Sequence, residues 1–145
     1  MNLKNYSTEV PASRSIENIE KLLVGFGSTN IMKEYGPTGS VAAISFIVEM
    51  DGMKLPFRLP AKVKECYTWL RKQRPKSSDK ILLAQAERVV WKQIHEWVHM
   101  QLSMIELNQA EKLEMFFPFL HDIKKGTTYY QGLKESKFKQ LLPAG

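Results

Sequence analysis

VAAISFIVEM, residues 41–50, is followed by Asp51-Gly52 and then by MKLPFRLP, residues 53–60. The first run alternates. Ala42, Ile44, Phe46, Val48 and Met50 fall on one side of an extended chain, and Val41, Ala43, Ser45, Ile47 and Glu49 fall on the other. Asp-Gly supplies the positive φ angles of a tight hairpin turn. The return run sets Met53, Leu55, Phe57 and Leu59 against Lys54, Pro56 and Arg58. Pro56 has no N–H, which assigns the second strand to a sheet edge or a non-bonded position. One face of this hairpin is apolar and needs a helical cover.

Upstream, Ile16, Ile19, Leu22, Leu23 and Phe26 have helical spacing, and Gly25 and Gly27 mark its end. Residues 28–35 alternate weakly and lead into the turn Gly36-Pro37-Thr38-Gly39, which predicts a short strand. Downstream, Pro60 is expected to open a helix packed through Val63, Cys66, Tyr67, Trp69 and Leu70. A polar break at residues 73–78 precedes a long helix capped by Asp79. Its stripe includes Leu82, Leu83, Ala86, Val89, Val90, Ile94, Trp97, Val98, Leu102 and Ile105. At 1.5 Å per residue, residues 79–106 span about 42 Å. That is longer than a small core requires, so a homodimer is expected. The alternative is a break near Asn108, followed by a separate segment containing Leu113, Met115, Phe116, Phe117, Phe119 and Leu120. Pro118 is hard to place within a helix.

The expectation is one α+β domain over residues 1–145: an N-terminal helix, a small antiparallel sheet with a hairpin, then mainly helix with one long member. Residues 122–145 form a basic, flexible tail with Tyr129, Tyr130, Leu133, Phe138, Leu141 and Leu142 as candidate anchors. With 43% hydrophobic and 25% charged residues, the composition is that of a globular chain. Cys66 is the sole cysteine, excluding an intrachain disulfide and a Cys-rich metal site. The polar N-terminus and the lack of a long apolar run predict no membrane association and a cytoplasmic location.

His95-Glu96-Trp97-Val98-His99 has the spacing of zinc peptidases. Histidines four apart on a helix can bind one ion, and Glu96 would activate its water. Glu106, Glu111, Glu114 or His121 would have to supply a third ligand. The metal set considered is His95, His99 and Glu114. Five-residue patterns arise by chance, however, and both histidines lie beside the packing stripe. The expected reading is therefore no catalytic residue and no cofactor, with a zinc hydrolase as an alternative. Cys66 reads as a buried thiol, and Gly25-Phe26-Gly27 lacks the context of a phosphate loop.

Charge is more informative. The formal net charge is +6, and residues 54–80 hold nine basic and two acidic side chains, whereas residues 1–53 hold four and six. Lys54, Arg58, Lys62, Arg71, Lys72, Arg74 and Lys76 are the candidate nucleic-acid contacts, with Lys64 and Lys80 in the same region. The plainer reading is a solvated face that aids solubility. Tyr67, Trp69, Trp91, Tyr129 and Tyr130 are candidate stacking residues. Packing is favoured for Trp69 and Trp97.

Glu9-Val10-Pro11, Ser15 to Glu20, Ala43 to Phe46, Leu55 to Pro60, Gln85 to Trp91 and Trp97 to Leu102 together resemble an uncharacterised family of short phage and prophage accessory proteins. The resemblance covers most of residues 6–120. It implies a virus-encoded protein in the host cell that binds nucleic acid or modulates a host protein. It also implies that the His-Glu-x-x-His text is a local feature of this chain.

Overall fold

The computed structural model describes residues 2–144. Helix α1 (Ala12–Phe26) precedes strands β1 (Asn30–Tyr35), β2 (Val41–Met50) and β3 (Met53–Pro60). Helices α2 (Val63–Gln73), α3 (Asp79–Glu106) and α4 (Lys112–Phe116) follow. The chain then makes a 3-10 turn (Phe117–Phe119), a two-residue ladder of β4 (His121–Asp122) with β5 (Thr127–Thr128), and α5 (Tyr129–Glu135). The fold is α+β.

The hairpin forms as expected. Asp51 and Gly52 have φ angles of 49° and 78°, and β2 pairs with β3 from Met50–Met53 to Ala43–Pro60. With β1 on its other side, β2 is central in an antiparallel sheet. Ile44, Phe46, Val48, Phe57 and Leu59 are buried on one face, where they pack with Ile16, Ile19 and Leu23 of α1 and with Trp91 and Val98 of α3. Phe46 and Phe57 stack at 5.4 Å between ring centroids, and Phe116 meets both at 5.8 and 5.9 Å. Trp97 reaches Phe116 edge-on at 5.7 Å. A bridge between Phe57 and Leu120 lays the chain beyond α4 against the outer edge of β3. Pro56 therefore sits in an edge strand.

A second cluster joins α2 to the first half of α3 through Cys66, Leu70, Leu82, Ala86, Val89 and Val90. Several boundaries correct the sequence reading. Pro60 ends β3 and α2 starts at Val63, because the strand register continues to the Ala43–Pro60 pair. Ser78, not Asp79, caps α3: its side chain accepts the Ile81 amide at 3.3 Å. Leu83 is outside the packed stripe and 43% exposed. Trp91, offered as a stacking residue, is 1% exposed and belongs to the core.

Helix α3 ends where Asn108 takes a φ of 58° and the Gln109 amide returns to the Met104 carbonyl at 2.9 Å. Pro118 lies in the 3-10 turn, outside any α-helix. Part of the basic tail has order of its own. Thr128 and Gln131 form a reciprocal capping box at the start of α5.

Because Phe116 is fully buried where the sheet, α1 and α3 meet, Phe116→Ala should lower the unfolding free energy by about 3–5 kcal/mol. Urea titration followed by tryptophan fluorescence measures this. A loss below about 1 kcal/mol would show that the cluster does not hold the return segment on the sheet.

Candidate functional site

The nine basic side chains of residues 54–80 separate into two kinds. Arg58 and Arg71 are used within the fold. Arg58 stands opposite Ser45, and Glu34 stands opposite Ala43, so their ion pair crosses β2 diagonally on the face away from α1 and α3. Arg58 Nη2 and Nε donate to Glu34 Oε2 at 2.8 and 3.1 Å. That hydrogen bonding holds the Glu34 carboxyl below the usual carboxylate range.

Arg71 is more extensively engaged. Its guanidinium donates to the carbonyls of Ser77 at 2.6 Å and Pro75 at 3.2 Å, lies over the Tyr67 ring, and pairs with Asp79. The Tyr67 hydroxyl also donates to Asp79 at 2.6 Å. The Asp79 carboxyl is lowered first by Tyr67 and then by Arg71. Arg71 is a staple of the α2–α3 turn.

The lysines and Arg74 are different. Lys54, Lys62, Lys64, Lys72, Arg74, Lys76 and Lys80 are all exposed, and none is in an ion pair among the described residues. Lys72, Arg74 and Lys76 cluster around the α2–α3 turn. Lys62, Lys64 and Lys80 line a groove of ≈ 790 Å³ whose other wall is the β1–β2 turn, including Thr38 and Ser40. Ser40 donates to Glu87 at 2.7 Å across that groove. Lys54 is not part of this group. It lies at the hairpin end of β3, about 20 Å along the strand from Pro60. Thr38, Ser40 and exposed Leu83 also line this groove; the sequence sets Thr38 in a turn and Leu83 in a packing stripe and marks none of the three as a site residue. Only chain folding brings the uncharged turn to the lysines.

The His-Glu-x-x-His segment has another role. Glu96 accepts the Asn5 side-chain amide at 3.0 Å and pairs with Lys4 at 3.2 Å. Gln93 donates to the Lys4 carbonyl at 2.7 Å, and buried Gln85 donates to the carbonyls of Tyr6 and Thr8, both at 3.0 Å. Residues 4–8 are thus strapped across α3 by side chains of that helix. The Asn5 hydrogen bond, with help from Lys4, holds the Glu96 carboxyl below the usual range.

His95 and His99 have nearly parallel rings with centroids 6.3 Å apart. Burial, then the charges of Lys92 and His99, keeps His95 below the ordinary histidine range. Glu114 is occupied in the capping box of α4, where its carboxylate accepts the Glu111 amide at 3.2 Å. Among the described residues, no three His, Cys, Asp or Glu side chains converge as a metal set. The alternative assignment of His95, His99 and Glu114 as ligands, with Glu96 as base, is therefore not assembled by the fold.

Trp97 and His99 instead border a groove of ≈ 830 Å³ with Leu59, Pro60, Met100 and Phe119. Cys66 is buried, and burial pushes its thiol upward. No helix among the described residues is long and apolar enough to cross a membrane.

The Glu96 clamp has a definite pH sign. Its folded pKa lies below 4.5, so its contribution is present above pH 4.5 and is lost as pH falls through the folded value. Glu96→Gln should accelerate amide hydrogen exchange in residues 4–8 near neutral pH and reduce the extra loosening of that strap on acidification. Unchanged exchange there would contradict the clamp.

Comparison of the chain with protein-family models, curated proteins and solved structures finds no match in any of the three.

Proposed function

We propose that the protein is a non-catalytic accessory binding protein of phage or prophage origin, working in the host cytoplasm as a homodimer and contacting a nucleic-acid backbone. One observation carries the nucleic-acid contact: six exposed cations, Lys62, Lys64, Lys72, Arg74, Lys76 and Lys80, surround α2 and its turn into α3 without an acidic partner among the described residues. Lys64 and Lys72 are eight residues apart on α2, or about 12 Å along its axis. Mobile ammonium groups suit phosphates of any base sequence and release counterions when they bind.

A protein-binding modulator of a host factor is the second reading. It is supported by the apolar groove beside Trp97 and Met100, and it calls for weaker salt dependence.

The first reading is tested by titrating labelled single- and double-stranded DNA and RNA with the intact protein over a salt series. The combined variant Lys72→Glu, Arg74→Glu, Lys76→Glu should weaken binding to duplex DNA. Each phosphate that the variant no longer neutralises should flatten the log–log salt slope by about 0.9, giving a change of roughly two to three. No retention of any nucleic acid at low salt, or an unchanged slope in the variant, would refute this assignment.

A further inference from the structure

The groove between the β1–β2 turn and α2 joins three kinds of surface. Lys62, Lys64 and Lys80 line it as exposed cations, and Val41, Val63, Leu83 and Ala84 supply apolar area. At one side Ser40 donates to Glu87 Oε1 at 2.7 Å. A neighbouring cavity of ≈ 540 Å³ shares Ser40, Val41 and Glu87, so this hydrogen bond stands where two openings meet. In that second cavity Glu20 pairs with Lys33 at 3.2 Å and Glu17 with Lys21 at 3.1 Å. The two carboxylates of the cationic groove, Glu65 and Glu87, are in no ion pair among the described residues. Glu65 is exposed in the first turn of α2, where a helix N-terminus favours negative charge. Glu87 is half-buried on α3, and the Ser40 hydroxyl occupies only one of its oxygens.

We infer that this groove holds an unpaired nucleotide, with its phosphates on Lys62, Lys64 and Lys80, its base over the apolar surface and an exocyclic amine of that base donating to Glu87. The assignment rests on the nucleic-acid reading above and adds to it the strand form and the class of base. Its volume of ≈ 790 Å³ lies within the roughly 300–1,000 Å³ of small-ligand sites.

The arrangement of charge selects the occupant. Any polyanion satisfies the lysines, but an acidic peptide would also bring carboxylates toward Glu65 and Glu87. A nucleotide carries its negative charge on phosphate and presents hydrogen-bond donors at its other end. A carboxylate accepts from the N4 amine of cytosine, whereas thymine offers a carbonyl oxygen at the corresponding position and is repelled. In a duplex that amine is engaged in base pairing, so a single strand is the form in which the groove can read it. Among the described residues no aromatic side chain lines the groove, which leaves discrimination to the hydrogen bond and not to stacking.

The test titrates labelled oligo(dC) and oligo(dT) of equal length with the full chain at low salt and reads the ratio of their affinities. Wild type should hold oligo(dC) about fivefold or more tighter than oligo(dT). Glu87→Gln, with an unchanged circular dichroism spectrum, should bring the ratio near one. Ser40→Ala removes the same internal hydrogen bond and should keep the preference, which separates loss of the acceptor from loosening of the turn. Lys62→Ala with Lys64→Ala should weaken both strands and leave the ratio. Equal affinity of wild type for the two strands, or a preference that survives Glu87→Gln, overturns the groove assignment and leaves the phosphate contacts around α2 standing. Displacement of oligo(dC) by an equal concentration of poly-aspartate gives the groove to an acidic segment and overturns it as well. Binding of neither strand nor duplex overturns both readings.

Discussion

Burial of Trp91 and Val98 against the sheet holds α3 in one rotational setting, and the rest of the surface follows from that setting. Each residue turns about 100° around a helix, so fixing two side chains assigns all the others. Ala86 and Val90 are directed at α2, Gln85, Gln93 and Glu96 at the N-terminal strap, and Met100 and Leu107 outward. One helix therefore covers the sheet, organises two neighbouring segments and retains an apolar margin. The aromatic contacts of Phe116 with Phe46, Phe57 and Trp97 lock this arrangement by bringing the chain back across the edge of β3.

The parts of the fold legible in the sequence were those governed by local periodicity. Alternation in residues 41–59, with one face strongly apolar and a break at Asp51-Gly52, carried enough information for the hairpin. The end of the long helix near Asn108 was also readable, since Asn tolerates the left-handed conformation observed there. Pro60 illustrates the opposite case. A proline suits the first position of a helix, but tertiary pairing with Ala43 kept it in the strand. Trp91 was misplaced because a wide apolar face admits more than one centre, and contacts with the sheet choose between them. The short β4–β5 ladder had too little alternating sequence to announce itself.

Site residues were harder to read for a related reason. Charge in a sequence does not say whether an ion has a partner. Arg58 and Arg71 stood out with the lysines around them, yet their forked guanidinium groups hold Glu34, Asp79 and backbone carbonyls. The acids and carbonyls that occupy them are up to 24 residues distant in the chain. Glu96 likewise lies in a pattern associated with hydrolysis, while two of its partners, Lys4 and Asn5, come from the N-terminal end of the sequence. What is left outside these internal contacts is a set of exposed cations around α2, which is the basis of the proposed nucleic-acid interface.

Lysine footprinting by mass spectrometry, with and without bound nucleic acid, tests that interface most directly because it reads every ammonium group in one sample. Protection concentrated at Lys62, Lys64, Lys72, Lys76 and Lys80, with Lys21 and Lys54 equally reactive in both states, is the expected result. Uniform reactivity throughout, or protection centred on Lys21 or Lys54, would contradict the assignment of the α2 surface.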